Sequence, residues 1–219
     1  MAFPSFIDDT RRSRGLMTIA DTGKLTERGN IIFDPFSVLI AADVKIGRDN
    51  IIFPCVSLLC RELGELLIGD NNTFYSNSLV EAVSGPISIG SSNQFGEGGF
   101  TAKTNRLGAR IVIGDHGRYL SGASVFGEAT LGTGSQILGA ITVDSCHLEA
   151  GQSHKESDPD LRGGGAERFR RRPQSHRSDR PSRSWKRRIF SGRYKAPILF
   201  PPQGQIRCAQ LNWGWAYCR

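Results

Sequence analysis

No stretch of this 219-residue chain is both long and apolar enough to span a bilayer, and its first residues lack the basic, apolar, small-residue order of a secretory signal. The expectation is a cytoplasmic protein with no membrane contact. Cysteine is sparse: Cys55, Cys60, Cys146, Cys208 and Cys218 are odd in number, widely spaced and form no CxxC pair. That excludes a disulfide framework and a zinc knuckle, and leaves Cys55 and Cys146 to read as small buried hydrophobes. The four histidines, His116, His147, His154 and His176, fall into no Ser-His-Asp or Cys-His spacing. The glycine-rich run from Phe95 to Phe100 lacks the strand-into-helix setting of a phosphate cradle. Glu81, Glu97 and Glu128 are spread through the chain and read as a solvated edge, not as paired acid and base.

Acidic charge is missing from one end. Residues 155–219 hold 16 Lys and Arg against 5 Asp and Glu, a net of +11, whereas the remaining 12 basic and 16 acidic residues give residues 1–154 a net of −4. The basic run from Arg168 through Arg188, with Trp185 and Tyr194 nearby, has the composition of a nucleic-acid arm or of a solvated tail. A third reading is preferred to nucleic acid: suitable codons for Ala166 to Ser178, read one nucleotide later, spell a peptide better patterned than the tail itself. The gene's shifted frame decides it.

What is present is a count of six. Ile113, Tyr119, Val125, Leu131, Ile137 and Val143 form an unbroken apolar file, with small or turn-forming residues in most places between. Such a repeat is read before any local propensity. Six fits neither a helix nor a single alternating strand. It fits three short strands per turn of a prism-shaped coil, each with one apolar residue inward and small residues at the corners. The count begins at Ile40 with Ile46, Ile52 and Leu58, and continues as Ile68, Phe74, Val80 and as Ile89, Phe95, Thr101. Four Ile-Gly steps, at Ile46, Ile68, Ile89 and Ile113, are 22, 21 and 24 residues apart. Three sixes make 18, so each of these turns carries an insertion, assigned to Arg61–Leu66, Ala82–Pro86 and Asn105–Arg110, all rich in loop residues. Asn50, Asn71, Asn72 and Asn93 sit near corners, where Asn tolerates left-handed backbone angles and stacked amides can hydrogen-bond along the coil.

The Ile-Gly steps and sixfold files, over roughly Val38 to Gly151, resemble the hexapeptide-repeat, left-handed β-helix proteins. The resemblance implies an all-β, single-stranded left-handed parallel β-helix in residues 38–151, after an irregular N-terminal arm (1–37) and before a basic irregular tail (152–219). Ile68-Gly69-Asp70-Asn71-Asn72 and Gly85-Pro86-Ile87-Ser88-Ile89-Gly90, then Asn93, Phe95 and Gly98, resemble the dynactin subunit 6 family. That likeness implies a non-catalytic coil with no cofactor that binds another β-helical protein, or a second copy, through its faces and open ends. Likeness to the superfamily's acyltransferases implies instead an oligomeric enzyme using an acyl-CoA donor. His116 is then the general base, oriented by Asp115 or Glu128. Likeness to γ-class carbonic anhydrases puts zinc ligands near Ala102, Gly122 and Gly127, none of which binds metal, so no metal site is expected.

Overall fold

The computed structural model describes residues 5–61 and 63–167. The basic run beyond Glu167, with His176, Trp185, Tyr194 and most of the segment read for an altered frame, lies outside them. Nineteen short strands wind into a parallel β-solenoid of three sheets. The first sheet holds Ile31–Ile32, Ile51–Ile52, Thr73–Phe74, Gln94–Gly96, Arg118–Leu120, Gln136–Leu138 and Gly165–Glu167. The second holds Leu39–Ile40, Ser57–Cys60, Ser78–Ala82, Phe100–Lys103, Ala123–Phe126 and Thr142–Asp144. The third holds Lys45–Ile46, Leu66–Ile68, Ile87–Ile89, Ile111–Ile113, Ala129–Leu131 and His147–Leu148.

The apolar files of the sequence become stacks along these sheets. Ile52, Phe74, Phe95, Tyr119 and Ile137 lie in register in the first sheet, and Ile46, Ile68, Ile89, Ile113, Leu131 and Leu148 in the third. All are buried, because each coil shields its inward side chains only when another coil lies above and below. One inward position departs from the expected file. Thr101 faces outward, and Ala102 stacks between Val80 and Val125. Glu97, Gly98 and Gly99 all take positive φ and lengthen that corner by one residue, which shifts every side chain after it to the other face. Phe100 occupies the volume that small Ala102 leaves: its ring is 5.0 Å from Phe95 and 5.9 Å from Tyr119, and its ladder neighbours are the small Ser78 and Ala123.

The Ile-Gly steps have a steric cause. A Cβ at Gly69 would meet the Gly90 carbonyl oxygen at 2.7 Å, and one at Gly90 would meet that of Gly114 at 2.8 Å, so at this corner backbone packs directly on backbone. The residue two places after each glycine, Asp49, Asn71, Ser92 or His116, is left-handed, with φ between 55° and 60°. The next position carries the amide ladder. Asn50, Asn72 and Asn93 are buried, and each main-chain N–H donates to the side-chain oxygen of the Asn one coil before it, starting from Asn30, at 2.9 Å. Asn71 serves the turn and takes no place in the ladder. Gly117 ends the file: its N–H donates to Asn93 Oδ1 at 2.7 Å, and the space where its side chain would stand holds the Tyr119 hydroxyl, 2.8 Å from Ser135 Oγ.

The N-terminal arm is irregular but docked. It contains two short helices, Ser5–Ser13 and Ile19–Lys24, and a 3-10 turn, Leu25–Arg28. Thr18 caps the second helix by accepting from the Asp21 N–H. Arg11, 6% exposed, donates to the carbonyls of Met17, Pro35, Phe36 and Val38 at 2.9–3.3 Å. The Met17 N–H donates to Ile40 O, and the Ala42 N–H to Gly15 O, so the arm covers the first edge of the second sheet. Cysteine placement corrects one expectation. Cys146 is buried as expected, but Cys55 is exposed at a left-handed corner, a position that points its side chain outward.

All three insertions lie at the corner between the second and third sheets. Gly64 packs on Ala82 O and Gly85 on Ala109 O, while buried Thr104 donates to Gly85 O and accepts from the Val83 N–H. Arg106 fixes the last insertion by donating to Asp144 Oδ1 at 2.6 Å.

Candidate functional site

His116 stands exposed at the left-handed corner position also taken by Asp49, Asn71 and Ser92, a backbone region in which His, Asp and Asn are enriched. Asp115 Oδ1 accepts the Ser91 N–H at 2.6 Å, so its carboxylate serves the corner below it. Glu128 is exposed at the corner between the second and third sheets, away from His116. His147 is exposed on the third sheet, where it pairs with Thr130. Ala102 is buried, and Gly122 and Gly127 form positive-φ corners. Among the described residues no three His, Cys, Asp or Glu side chains converge. No helix among them is long and apolar enough to cross a membrane.

The three glutamates are not one solvated edge. Glu97 and Glu128 are exposed, whereas Glu81 is 8% exposed and lies between Arg61 Nε at 3.1 Å and Lys103 Nζ at 2.7 Å. Burial alone would raise its carboxyl; Lys103 and then Arg61 outweigh that and hold it below the usual carboxylate range. A carboxyl lowered on folding adds stability above its unfolded value, and that stability is lost as pH falls through the folded value. Glu81→Gln is therefore expected to cost roughly 1 kcal/mol at pH 7, as a partly screened network does. The difference from wild type in urea melts should shrink as the pH drops below about 4.5. A gap that stays constant down to pH 3 would mean the ion pairs contribute nothing.

One cleft was invisible in the sequence. Gln94, Arg118, Gln136 and Gly165 are successive neighbours on the outward side of the first sheet. After the last strand of the third sheet, residues 149–164 leave the coil and return beside this face, bringing His154 and Arg162 to Arg118. With Gln136 and Leu138 they line a partly open cleft of about 210 Å³. Arg118 Nε and His154 Nδ1 are buried there without a hydrogen-bond partner. Burial, then the charges of Arg118, Lys155, Arg162 and His116, hold His154 below the ordinary imidazole value. Arg162 donates to the Glu156 main-chain carbonyl at 2.7 Å, while the Glu156 carboxylate accepts from Ser157 and Asp158.

A second exposed feature lies at the other end of the coil. Phe33, Phe53 and Tyr75 stack outside the core with centroid spacings of 4.8 and 5.1 Å, and Phe33 and Phe36 are 59% and 51% exposed. Beside them Ile31–Ile32 is the terminal strand of the first sheet, with no strand on its outer side among the described residues.

No family model matches the chain, and no curated protein matches it. The architecture itself defines the class: a mostly β protein built as a parallel β-solenoid, the form that hexapeptide-repeat proteins share.

Proposed function

We propose that this chain is a non-catalytic, protein-binding β-helix of the hexapeptide-repeat kind, similar in role to dynactin subunit 6. The observation that carries the reading is the open edge of Ile31–Ile32 beside the exposed aromatic file of Phe33, Phe53 and Tyr75. An unpaired strand edge offers backbone donors and acceptors to an incoming strand, and adjacent exposed aromatic rings supply apolar area that rewards coverage. The partner of matching chemistry is the end of another β-helical protein or a second copy of this chain, which presents the same parallel ladder.

The reading is tested in two ways on the full chain. Sedimentation equilibrium should show association that the double change Phe33→Ser, Phe53→Ser weakens at least tenfold, or an exposed edge that hydroxyl-radical labelling finds protected by an added β-helical partner. An edge that neither self-associates nor becomes protected contradicts it. Acetyl-CoA with an amine or hydroxyl acceptor should release no free thiol above background. Thiol release abolished by His116→Ala would establish the acyltransferase alternative, with His116 as its base.

A further inference from the structure

The cleft at the other end of the coil has a chemistry that protein binding leaves unused. Most buried polar atoms in folded chains have a partner, and those without one call for an explanation, a water or an ion among them. Here two such atoms, Arg118 Nε and His154 Nδ1, belong to side chains that line one cleft. Arg118 makes no salt bridge among the described residues; of the loop's acidic residues, Glu149, Glu156, Asp158 and Asp160, Glu156 lies within electrostatic reach of Arg162 while its carboxylate accepts from the Ser157 and Asp158 N–H groups. Two guanidinium groups and an imidazole therefore line one cleft, with no salt bridge to any of them among the described residues. Two like charges held at one half-buried cleft repel each other, and an anion that joins them offsets that repulsion.

We propose that this cleft is a binding site for a small tetrahedral oxyanion of the phosphate or sulfate class, with Arg118, His154 and Arg162 as its charged contacts. Guanidinium presents a fork of N–H donors that suits the oxygens of such an anion, and charge-assisted hydrogen bonds of this type are the strong ones. The cleft, of about 210 Å³ and partly open to solvent, has room for such an anion. Gln136 adds a polar side chain, and the glycine at Gly165 keeps the cleft from being filled by the next side chain in the stack. The fold explains why the site lies here: only the long excursion of residues 149–164 brings His154 and Arg162 back against the first sheet.

The imidazole adds a pH signature. Burial and the charges of Arg118, Lys155 and Arg162 oppose protonation of His154. A bound dianion reverses that balance and favours the imidazolium. Binding then takes up a proton, and affinity rises as pH falls.

The test is calorimetric titration of the full chain with sodium sulfate, whose charge is constant over the range used, and in parallel with inorganic phosphate and glycerol phosphate. The expected result is one site whose affinity falls at least tenfold in Arg118→Gln and in Arg162→Gln. Arg118→Lys should retain part of the binding, and Arg12→Gln, on the remote N-terminal helix, all of it. Affinity for sulfate should rise severalfold from pH 8 to pH 6 in wild type and not in His154→Gln, which lies outside the strand ladder and leaves the coil's packing alone. Tighter binding of glycerol phosphate than of phosphate assigns the site to a phosphorylated small molecule; the reverse order assigns it to the free anion. Sulfate that binds Arg118→Gln and His154→Gln as it binds wild type, or does not bind at all, overturns the proposal. Neither result bears on the aromatic end, whose association is read separately.

Discussion

Phe95→Ala is expected to lower the unfolding free energy by about 3–5 kcal/mol, the loss typical of a fully buried aromatic ring replaced by a methyl group. Phe95 is wholly buried, and its centroid is 4.9 Å from Phe74, 5.0 Å from Phe100 and 5.4 Å from Tyr119. The change removes transfer free energy and three ring contacts at once, and leaves a cavity that rigid strands on either side cannot close. Position matters as much as size. A coil interacts only with its neighbours, so loosening a central one uncouples the two halves. Urea unfolding followed by circular dichroism should show both a lower midpoint and a broader transition. Phe95→Leu should recover part of each. A loss below about 1 kcal/mol would mean the aromatic stack does not hold the coils together.

Asn72→Ala should cost about 3 kcal/mol, although it deletes only a small polar side chain. Asn72 Nδ2 donates to Gly90 O at 2.9 Å, and Asn72 Oδ1 accepts from the Asn93 N–H at 2.9 Å and from Asn93 Nδ2 at 3.1 Å. The Asn93 contacts are buried and the Gly90 contact partly so, and alanine strands an acceptor and a main-chain donor where water replaces the lost partner poorly. Each stranded group costs about 1–3 kcal/mol. Asn72→Asp separates the two roles. A carboxyl keeps the oxygen that Asn93 needs but, when ionised, faces the Gly90 carbonyl without a proton to give. Its buried site raises its pKa, so this variant should gain stability relative to Asn72→Ala as the pH falls. Melts of both variants at pH 7 and pH 4 decide the matter; identical pH responses would remove the ladder from the account.

The repeat was legible because large apolar side chains carried it. Ile113, Tyr119, Val125, Leu131, Ile137 and Val143 announce three strands per coil without help from any other residue, and the Ile-Gly steps locate one corner. Where inward residues are small the count slips. Ala102 is as buried as Val80, yet in a sequence it looks like filler, and Thr101 offered itself at the expected spacing. The strands at both ends also escaped the count. Ile31–Ile32 precedes a longer corner, and Gly165–Glu167 reaches the first sheet only after the excursion of residues 149–164. Its Gly and Ala give no apolar signal. The basic cleft was illegible for a different reason: Arg118 and Arg162 are 44 positions apart, and Arg162 belongs to no repeat. His116 drew notice through its place after an Ile-Gly step, which is also what makes it a corner residue.

One edge of the prism is unlike the other two. From one third-sheet strand to the next the chain uses 22, 21, 24, 18 and 17 residues between Ile46, Ile68, Ile89, Ile113, Leu131 and Leu148, yet the ladders stay in register throughout. Most of the surplus is taken up at one place, where Leu63 and Leu107 stand 68% and 84% exposed on the first and third insertions. Perimeter and axial rise are thus independent quantities in this molecule. New sequence can be grafted onto that edge, and old sequence trimmed from it, while the stacking that defines the coil is left untouched; the ragged edge is where such a chain is free to diverge.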